Sequence, residues 1–167
     1  QMCIRDRNVI DSPAEQEGRY TYSNEILPIS RFNSASDHTY SEAFYLHDLE
    51  GNGIEIYADR PRDQWGEGPG GSTPLDLKEL ATLVDYEFDG LPANTVVGHV
   101  HLRIADVEES YEFYVDTVGF EVQQREDDCV FISAGGYHHH IGANTWNGVN
   151  NPHPPAHATG SVSYTHL

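Results

Sequence analysis

Residues 37–57 read DHTYSEAFYLHDLEGNGIEIY, and this stretch carries the strongest fold signal in the chain. Two short runs of aliphatic and aromatic residues, SEAFYL at 41–46 and GIEIY at 53–57, flank the segment Glu-Gly-Asn-Gly at 50–53. Glycine in such a segment supplies the positive φ angles that a tight turn needs. The stretch therefore predicts a β-hairpin of two neighbouring strands.

Alternation along the second strand places its acidic residue opposite its isoleucines. Ile54 and Ile56 share one face of the strand, and Glu55 and Tyr57 share the other. If the isoleucines pack on a core, Glu55 faces whatever cavity the sheet encloses, where a divalent metal ion would offset the cost of burying a carboxylate. Alternation alone favours the simpler interpretation that Glu55 lies on a solvated face, and both interpretations stay open here.

A second pattern begins near residue 97. Residues 97–104 (VGHVHLRI) predict a strand, and residues 106–118 predict an amphipathic helix. Further strands are predicted at 120–122 and 129–133. The second half therefore reads in the order strand, helix, strand, strand.

The predicted helix carries both a start signal and an apolar stripe. Asp106 is placed as its N-cap, with Glu109 three positions later in a capping-box-like arrangement. The apolar residues recur at helical spacing and predict one buried face: Val107, Tyr111, Tyr114 and Val118.

These patterns together resemble the vicinal oxygen chelate superfamily, which holds glyoxalase I, the bleomycin-resistance proteins and the type I extradiol ring-cleavage dioxygenases. The signature of the extradiol enzymes is matched, in order, by His38, Phe44, Tyr45, Asp48, Gly51 and Glu55. The segment GGYHHHIGANTWNG at 135–148 resembles the catechol-2,3-dioxygenase subgroup. The resemblance implies an α+β fold of βαβββ units, incomplete at both ends of this chain.

The resemblance also implies roles for four residues. Glu55 would be a metal ligand, His38 an acid/base and Tyr45 a hydrogen-bond partner of the bound substrate. His99 lies where a first-strand metal ligand occurs in such units, although a purely structural role for it is equally open. The implied cofactor is Fe(II), with Mn(II) suiting the same ligands, and the implied substrates are a catechol-like aromatic compound and O2.

Other histidines are weaker candidates for metal binding. His101 shares a strand face with His99 and could line the same cup. The three histidines at 138–140, taken as part of a strand, would alternate between its faces and could not all converge on one ion. They are expected to form a rim feature.

Two other functions compete with ring cleavage. A binding-only protein of the bleomycin-resistance type would use the same cup without redox chemistry, and a glyoxalase-like metal-dependent lyase or isomerase is the third option. A carboxylate at Glu55 combined with His38 and Tyr45 favours the extradiol dioxygenase, because a binding module has no need of these groups together.

The predicted organisation has two motif-bearing halves. Residues 8–60 would be the end of a first domain, 61–95 a linker with a docking helix, and 96–148 the start of a second domain. Residues 1–7 and 161–167 resemble translated adapter sequence and are set aside as non-native ends. The chain thus looks like the middle of a two-domain protein, in which Glu55 and His99 would belong to different domains and would not share a site.

The amino-acid composition argues against some classes of binding partner. A formal net charge of -18 argues against nucleic acid and against anionic membrane surfaces. No apolar run approaches the roughly 20 residues of a membrane-spanning helix. Two cysteines, Cys3 and Cys129, do not form a disulfide framework, so a cytoplasmic location is predicted. A homo-oligomer is compatible with the superfamily, whose units associate across chains.

Overall fold

In the computed structural model the described residues are 2–6, by backbone alone, together with 32–48, 51–66, 70–82, 90–150 and 152. The strands are β1 (Met2–Asp6), β2 (Phe32–Asp37), β3 (Ser41–His47), β4 (Gly53–Asp59), β5 (Thr73–Pro74), β6 (Val96–Arg103), β7 (Glu121–Arg125), β8 (Cys129–Ser133) and β9 (Ile141–Asn144). The α-helices are α1 (Leu77–Ala81) and α2 (Val107–Tyr111), with a 3-10 turn at Arg62–Gln64 and a π-helical segment at Glu112–Thr117. The predicted α+β class is confirmed. None of the helices in these ranges is long and apolar enough to cross a bilayer.

The strands form one mixed sheet in the order β5-β2-β3-β4-β1-β6-β9-β8-β7. Its two halves share a plan: β1 pairs in parallel with β4, as β6 does with β9, and antiparallel neighbours follow outward. β1 and β6 pair antiparallel and join the halves. In the second half, β6, α2, β7, β8 and β9 follow one another along the chain, which is the predicted βαβββ unit.

The predicted hairpin is formed by β3 and β4, which pair antiparallel with Tyr45 opposite Glu55. Gly51 has a φ of 84°, which glycine adopts without steric cost. The isoleucine face packs as expected, because Ile56 is buried in a hydrophobic core and Ile54 packs against it. The hairpin therefore turns Glu55 away from the core.

Two main hydrophobic cores support the sheet. The first lies under the hairpin and includes Leu80 of α1. The second lies between α2 and the strands of the second half. The buried members of the two cores are Phe44, Leu46, Ile56 and Leu80 in the first, and Val107, Val130, Ile132, Ile141 and Ala143 in the second.

The helix after β6 begins as predicted and ends differently. The Asp106 side chain accepts a hydrogen bond from the Glu109 backbone N–H at 3.0 Å. Val118, expected on the buried stripe, is 52% exposed, whereas Val115 packs on the core. The reason is the wider π-helical segment at 112–117, which rotates later side chains out of the α-helical register.

The exclusion of residues 1–7 from the fold is wrong for Met2–Asp6, which form the strand that joins the two halves of the sheet. Because β4 and β6 each need an inner neighbour, a short strand between them satisfies backbone donors and acceptors on both sides. Whether these residues are native stays a prediction, as do the domain boundaries. Residues 161–167 lie outside the described residues.

Candidate active site

The concave side of the sheet encloses a cavity of about 700 Å³. Its walls come from both halves of the sheet, and they include all four residues that the sequence singled out: His38, Tyr45, Glu55 and His99. Aromatic side chains, Phe131 and Trp146 among them, form part of the wall on the side of the second half. A cavity of this size, apolar in part and with convergent polar groups, is typical of a small-molecule site.

Glu55 and His99 meet at the base of this cavity. The Glu55 Oε2 and His99 Nε2 atoms are 3.1 Å apart, and the two residues are 6% and 2% exposed. The expectation that they belong to separate sites is therefore wrong. The physical reason is the register of β1. Its position 3 pairs with Glu55 of β4 on one side and with His99 of β6 on the other, so Glu55 and His99 lie in the same row across the sheet.

Tyr45 and His38 extend this pair into a chain of hydrogen bonds. The Tyr45 hydroxyl donates to Glu55 Oε1 at 3.0 Å and lies 2.6 Å from His38 Nε2. His38 Nδ1 donates to the Gly71 carbonyl oxygen at 2.9 Å, since a carbonyl can only accept. Tyr45 has one hydroxyl hydrogen, which it can direct to Glu55 or to His38. A proton can thus pass along His38, Tyr45 and Glu55.

Arg60 fixes the turn that carries His38. Its guanidinium donates to both carboxylate oxygens of Asp37, at 2.6 and 2.9 Å, to Glu42 Oε1 at 2.5 Å and to the Thr39 carbonyl oxygen at 2.9 Å. The hydrogen bond from Arg60 holds the pKa of Asp37 below its usual value, whereas burial raises the pKa of Glu42. Arg60 was not predicted from the sequence, and its role is to hold the backbone on either side of His38.

Two of the three consecutive histidines also face inward. His138 Nε2 lies 3.0 Å from Asp59 Oδ1, and His138 Nδ1 lies 2.9 Å from His139 Nδ1. The His139 and His99 ring centroids are 4.1 Å apart. The expected strand alternation at 138–140 is wrong, because these residues lie in the loop before β9 and His138 and His139 are both buried.

Burial controls the protonation of groups around the cavity. It lowers the pKa of His138 and lowers that of His139 well below the usual value, although the hydrogen bond that His138 donates to Asp59 opposes the shift at His138. Burial also raises the pKa of Tyr40 to about 12, with Glu55 and Asp59 adding to the effect. The Tyr40 ring stacks on His138 with 4.4 Å between centroids. Burial therefore favours the neutral forms of His138 and His139 and the protonated phenol of Tyr40.

His101 lines the cavity as expected from its place on the His99 face. Its Nε2 lies 2.5 Å from the Asn144 side-chain nitrogen, which can only donate, so this imidazole accepts and is neutral. Burial lowers the pKa of His101 to about 4.

The buried histidines predict acid sensitivity of the metal-free chain. Their pKa values in the folded state lie below the value of about 6.5 for an unfolded chain, so below that pH the unfolded state binds more protons. The free energy of unfolding should therefore fall as the pH drops from about 6.5 towards 4. For His101 alone the loss is at most about 3 kcal/mol. Urea unfolding across this pH range checks the slope, which a His101→Asn variant should reduce. Constant stability over the range would contradict the burial of neutral histidines.

The donor set at Glu55 and His99 fits a divalent transition metal ion. A carboxylate and an imidazole are the ligands that Fe(II) and Mn(II) accept in proteins. The Nδ1 atom of His99 is buried without a hydrogen-bond partner within the described ranges, so protein groups alone leave this imidazole incompletely satisfied. A metal ion held with Glu55 would bind the Nε2 atom of His99, so it would not supply the partner that Nδ1 lacks; the fit rests on the donor set.

A second group of candidate ligands was not predicted from the sequence. The side-chain ligand atoms of Glu126, Asp128 and Cys129 lie within 4.8 Å of one another, and this is the one such group of three among the residues that the structure describes. Burial raises the pKa of the Cys129 thiol to about 11, so it stays protonated, and both carboxylates are exposed. The Glu55 and His99 pair is therefore the better candidate, although its third ligand is not in place.

Comparison with known proteins gives a family match, a curated relative and solved structures of similar fold. Residues 96–163 match the model of the Glyoxalase/Bleomycin resistance protein/Dioxygenase superfamily. A curated relative named catechol-2,3-dioxygenase, from Bacillus subtilis (strain 168), is 44% identical over 137 residues, which is 77% of this chain and 48% of that protein. The chain thus spans about half the length of this relative.

A solved structure supports the fold. It comes from Bacillus subtilis subsp. subtilis str. 168 and is assigned provisionally to the dioxygenases. It aligns with a TM-score of 0.51 at 15% identity, over 86% of this chain and 39% of that one. At this identity the likeness concerns the fold alone.

Proposed function

From the premise that the chain belongs to the Glyoxalase/Bleomycin resistance protein/Dioxygenase superfamily, as its sequence pattern predicted, we propose that it is part of an extradiol ring-cleavage dioxygenase. Its substrates would be a catechol-like compound and O2. The observation that carries the proposal is the buried contact between Glu55 and His99. Beside this contact, Tyr45 is hydrogen-bonded to Glu55 and His38 is hydrogen-bonded to Tyr45. The 44% identity to a protein named catechol-2,3-dioxygenase supports the same assignment. A cytoplasmic location and homo-oligomerisation stay predictions.

Glu55 and His99 would hold Fe(II), or Mn(II) as the alternative. When bound, the metal supplies the site at which a catecholate and O2 can react. A facial set of two imidazoles and one carboxylate needs one more histidine than this pair provides. In the described part of the chain, no third ligand atom lies within 4.8 Å of both. We therefore expect weak metal binding by this chain.

The remaining groups would orient the substrate and handle its protons. Tyr45 lies between Glu55 and His38 and can hydrogen-bond a substrate hydroxyl placed beside the carboxylate. His38 can then take a proton at Nε2, because its Nδ1 hydrogen is engaged by Gly71. Tyr40, whose pKa is raised to about 12, stays a hydrogen-bond donor at the cavity wall.

The test is ring cleavage by the metal-loaded chain. Purified protein is saturated with Fe(II) under nitrogen, given catechol and air, and followed for the yellow ring-cleavage product. We expect slow product formation that exceeds the rate of Fe(II) without protein, and a parallel sample with Mn(II) decides the metal. A rate no higher than that of free Fe(II) would count against the proposal.

A further inference from the structure

We propose that a side pocket beside the main cavity binds the carboxylate group of an aromatic diol through Arg62. The inference deepens the proposed function and rests on it, because it concerns which catechols the same site accepts. It would make Arg62 a specificity-determining residue for substrates such as dihydroxybenzoates.

The side pocket adjoins the main cavity, because the two share part of their lining. Its volume is about 210 Å³, enough for a small substituent. The residues that line both spaces are Tyr40, Gln124, Phe131 and His138. The His138 ring centroid is 5.4 Å from that of Trp65, in the side pocket, and 6.1 Å from that of His99, in the main one. The proposal places the ring of the diol beside His99 and its carboxylate on the far side of His138, in the side pocket.

Arg62 is the cation of this pocket; it is exposed, and its guanidinium is oriented by contact with Trp65. Its guanidinium carbon lies 4.1 Å from the centroid of the Trp65 ring. Trp65 is itself held, because its Nε1 donates to the Arg60 carbonyl oxygen at 2.8 Å. A guanidinium stacked by its face keeps its N–H groups in the plane, directed outward. Arg62 thus presents a fork of donors at a defined place.

These donors are not used by the protein. Arg60 and Arg125 are paired with carboxylates, whereas the Arg62 side chain has no hydrogen bond or ion pair within the part of the chain that the structure describes. In a chain with 27 acidic and 9 basic residues, an arginine that remains unpaired in a pocket indicates an acidic ligand.

The rest of the pocket lining favours an anion as well. No Asp or Glu occurs among the described residues that line it. The planar guanidinium matches a carboxylate by two parallel hydrogen bonds, which a spherical anion cannot form. A carboxylate attached to the ring of a diol satisfies both the charge and the geometry.

The experiment is calorimetric titration of the metal-free chain with 3,4-dihydroxybenzoate and, separately, with catechol. We expect the wild-type chain to bind the carboxylate about ten-fold more tightly or better, the effect of one charge-assisted hydrogen-bonded pair. Arg62→Gln should remove this preference and leave catechol binding unchanged. Lys78→Gln is the matched control, because it removes the same charge from an exposed helix position outside both spaces.

The outcomes separate this inference from the proposed function. No preference in the wild-type chain, or a preference that survives Arg62→Gln, would overturn the role of Arg62. An equal loss in Lys78→Gln would also overturn it, because net charge and not the pocket would then be responsible. Because binding is measured without metal, a chain that prefers the carboxylate but never cleaves a ring would refute the dioxygenase assignment alone.

Discussion

A Glu55→Gln variant should bind Fe(II) at least about 100-fold more weakly than the wild-type chain, because losing even a residue that supports a metal ligand typically costs about 10- to 100-fold. The change removes the negative charge that faces His99 at 3.1 Å. It keeps the shape of the side chain and an oxygen for the Tyr45 hydroxyl, so the fold is expected to persist. Ring cleavage should fall with metal occupancy. Anaerobic equilibrium dialysis measures the affinity, and circular dichroism checks the fold.

The matched control for this variant is Glu121→Gln. Glu121 is exposed on β7 and lines neither cavity, so it changes the net charge by the same amount without touching the site. If Glu55→Gln bound Fe(II) as tightly as Glu121→Gln, Glu55 would not be a ligand.

A Phe44→Ala variant should lose about 3–5 kcal/mol of unfolding free energy, the usual cost of removing a buried phenylalanine side chain. Phe44 is 0% exposed and belongs to the first core with Leu46, Ile56 and Leu80. Its neighbour along β3 is Tyr45, so the same packing keeps Tyr45 directed at Glu55. Urea unfolding followed by circular dichroism gives the change in stability.

Phe113→Ala provides the comparison for this core substitution. Phe113 is 55% exposed on the π-helical segment, so its removal leaves a much smaller cavity. We expect a loss of no more than about 1 kcal/mol, as for most surface substitutions. Equal losses in the two variants would show that the first core does not carry the stability of the chain.

Local patterns were sufficient to predict the hairpin. The alternation of Ile54, Glu55 and Ile56 requires only a strand whose isoleucine face packs on a core, and the structure has that arrangement. The same alternation could have identified Asp59. This residue lies on the strand face of Glu55 and Tyr57, four positions after the first and two after the second. The hairpin is predictable because strand, turn and apolar face all lie within one short stretch of sequence.

The meeting of Glu55 with His99 could not be predicted from sequence. It depends on pairing between strands 44 residues apart in the chain and on β1, which inserts between them. Long-range pairing leaves no periodic trace in either segment. Analogy to separate domains therefore gave the wrong answer for this pair.

Two other errors came from assuming regular structure. The histidines at 138–140 lie in a loop, where strand alternation does not apply. Val118 follows a π-helical segment, where the helical stripe shifts from Val118 to Val115. Such irregular segments occur often at functional sites, and the loop with His138 and His139 borders the cavity here.

The most direct test of the central claim is a double-mutant cycle on metal affinity. Anaerobic equilibrium dialysis against Fe(II) is carried out on the wild-type chain, Glu55→Gln, His99→Asn and the double variant. If the two residues hold one ion, the double variant should bind within roughly three-fold of the weaker single variant, because groups that share a partner are not additive. Losses that multiply in the double variant would show that Glu55 and His99 do not ligate the same metal ion.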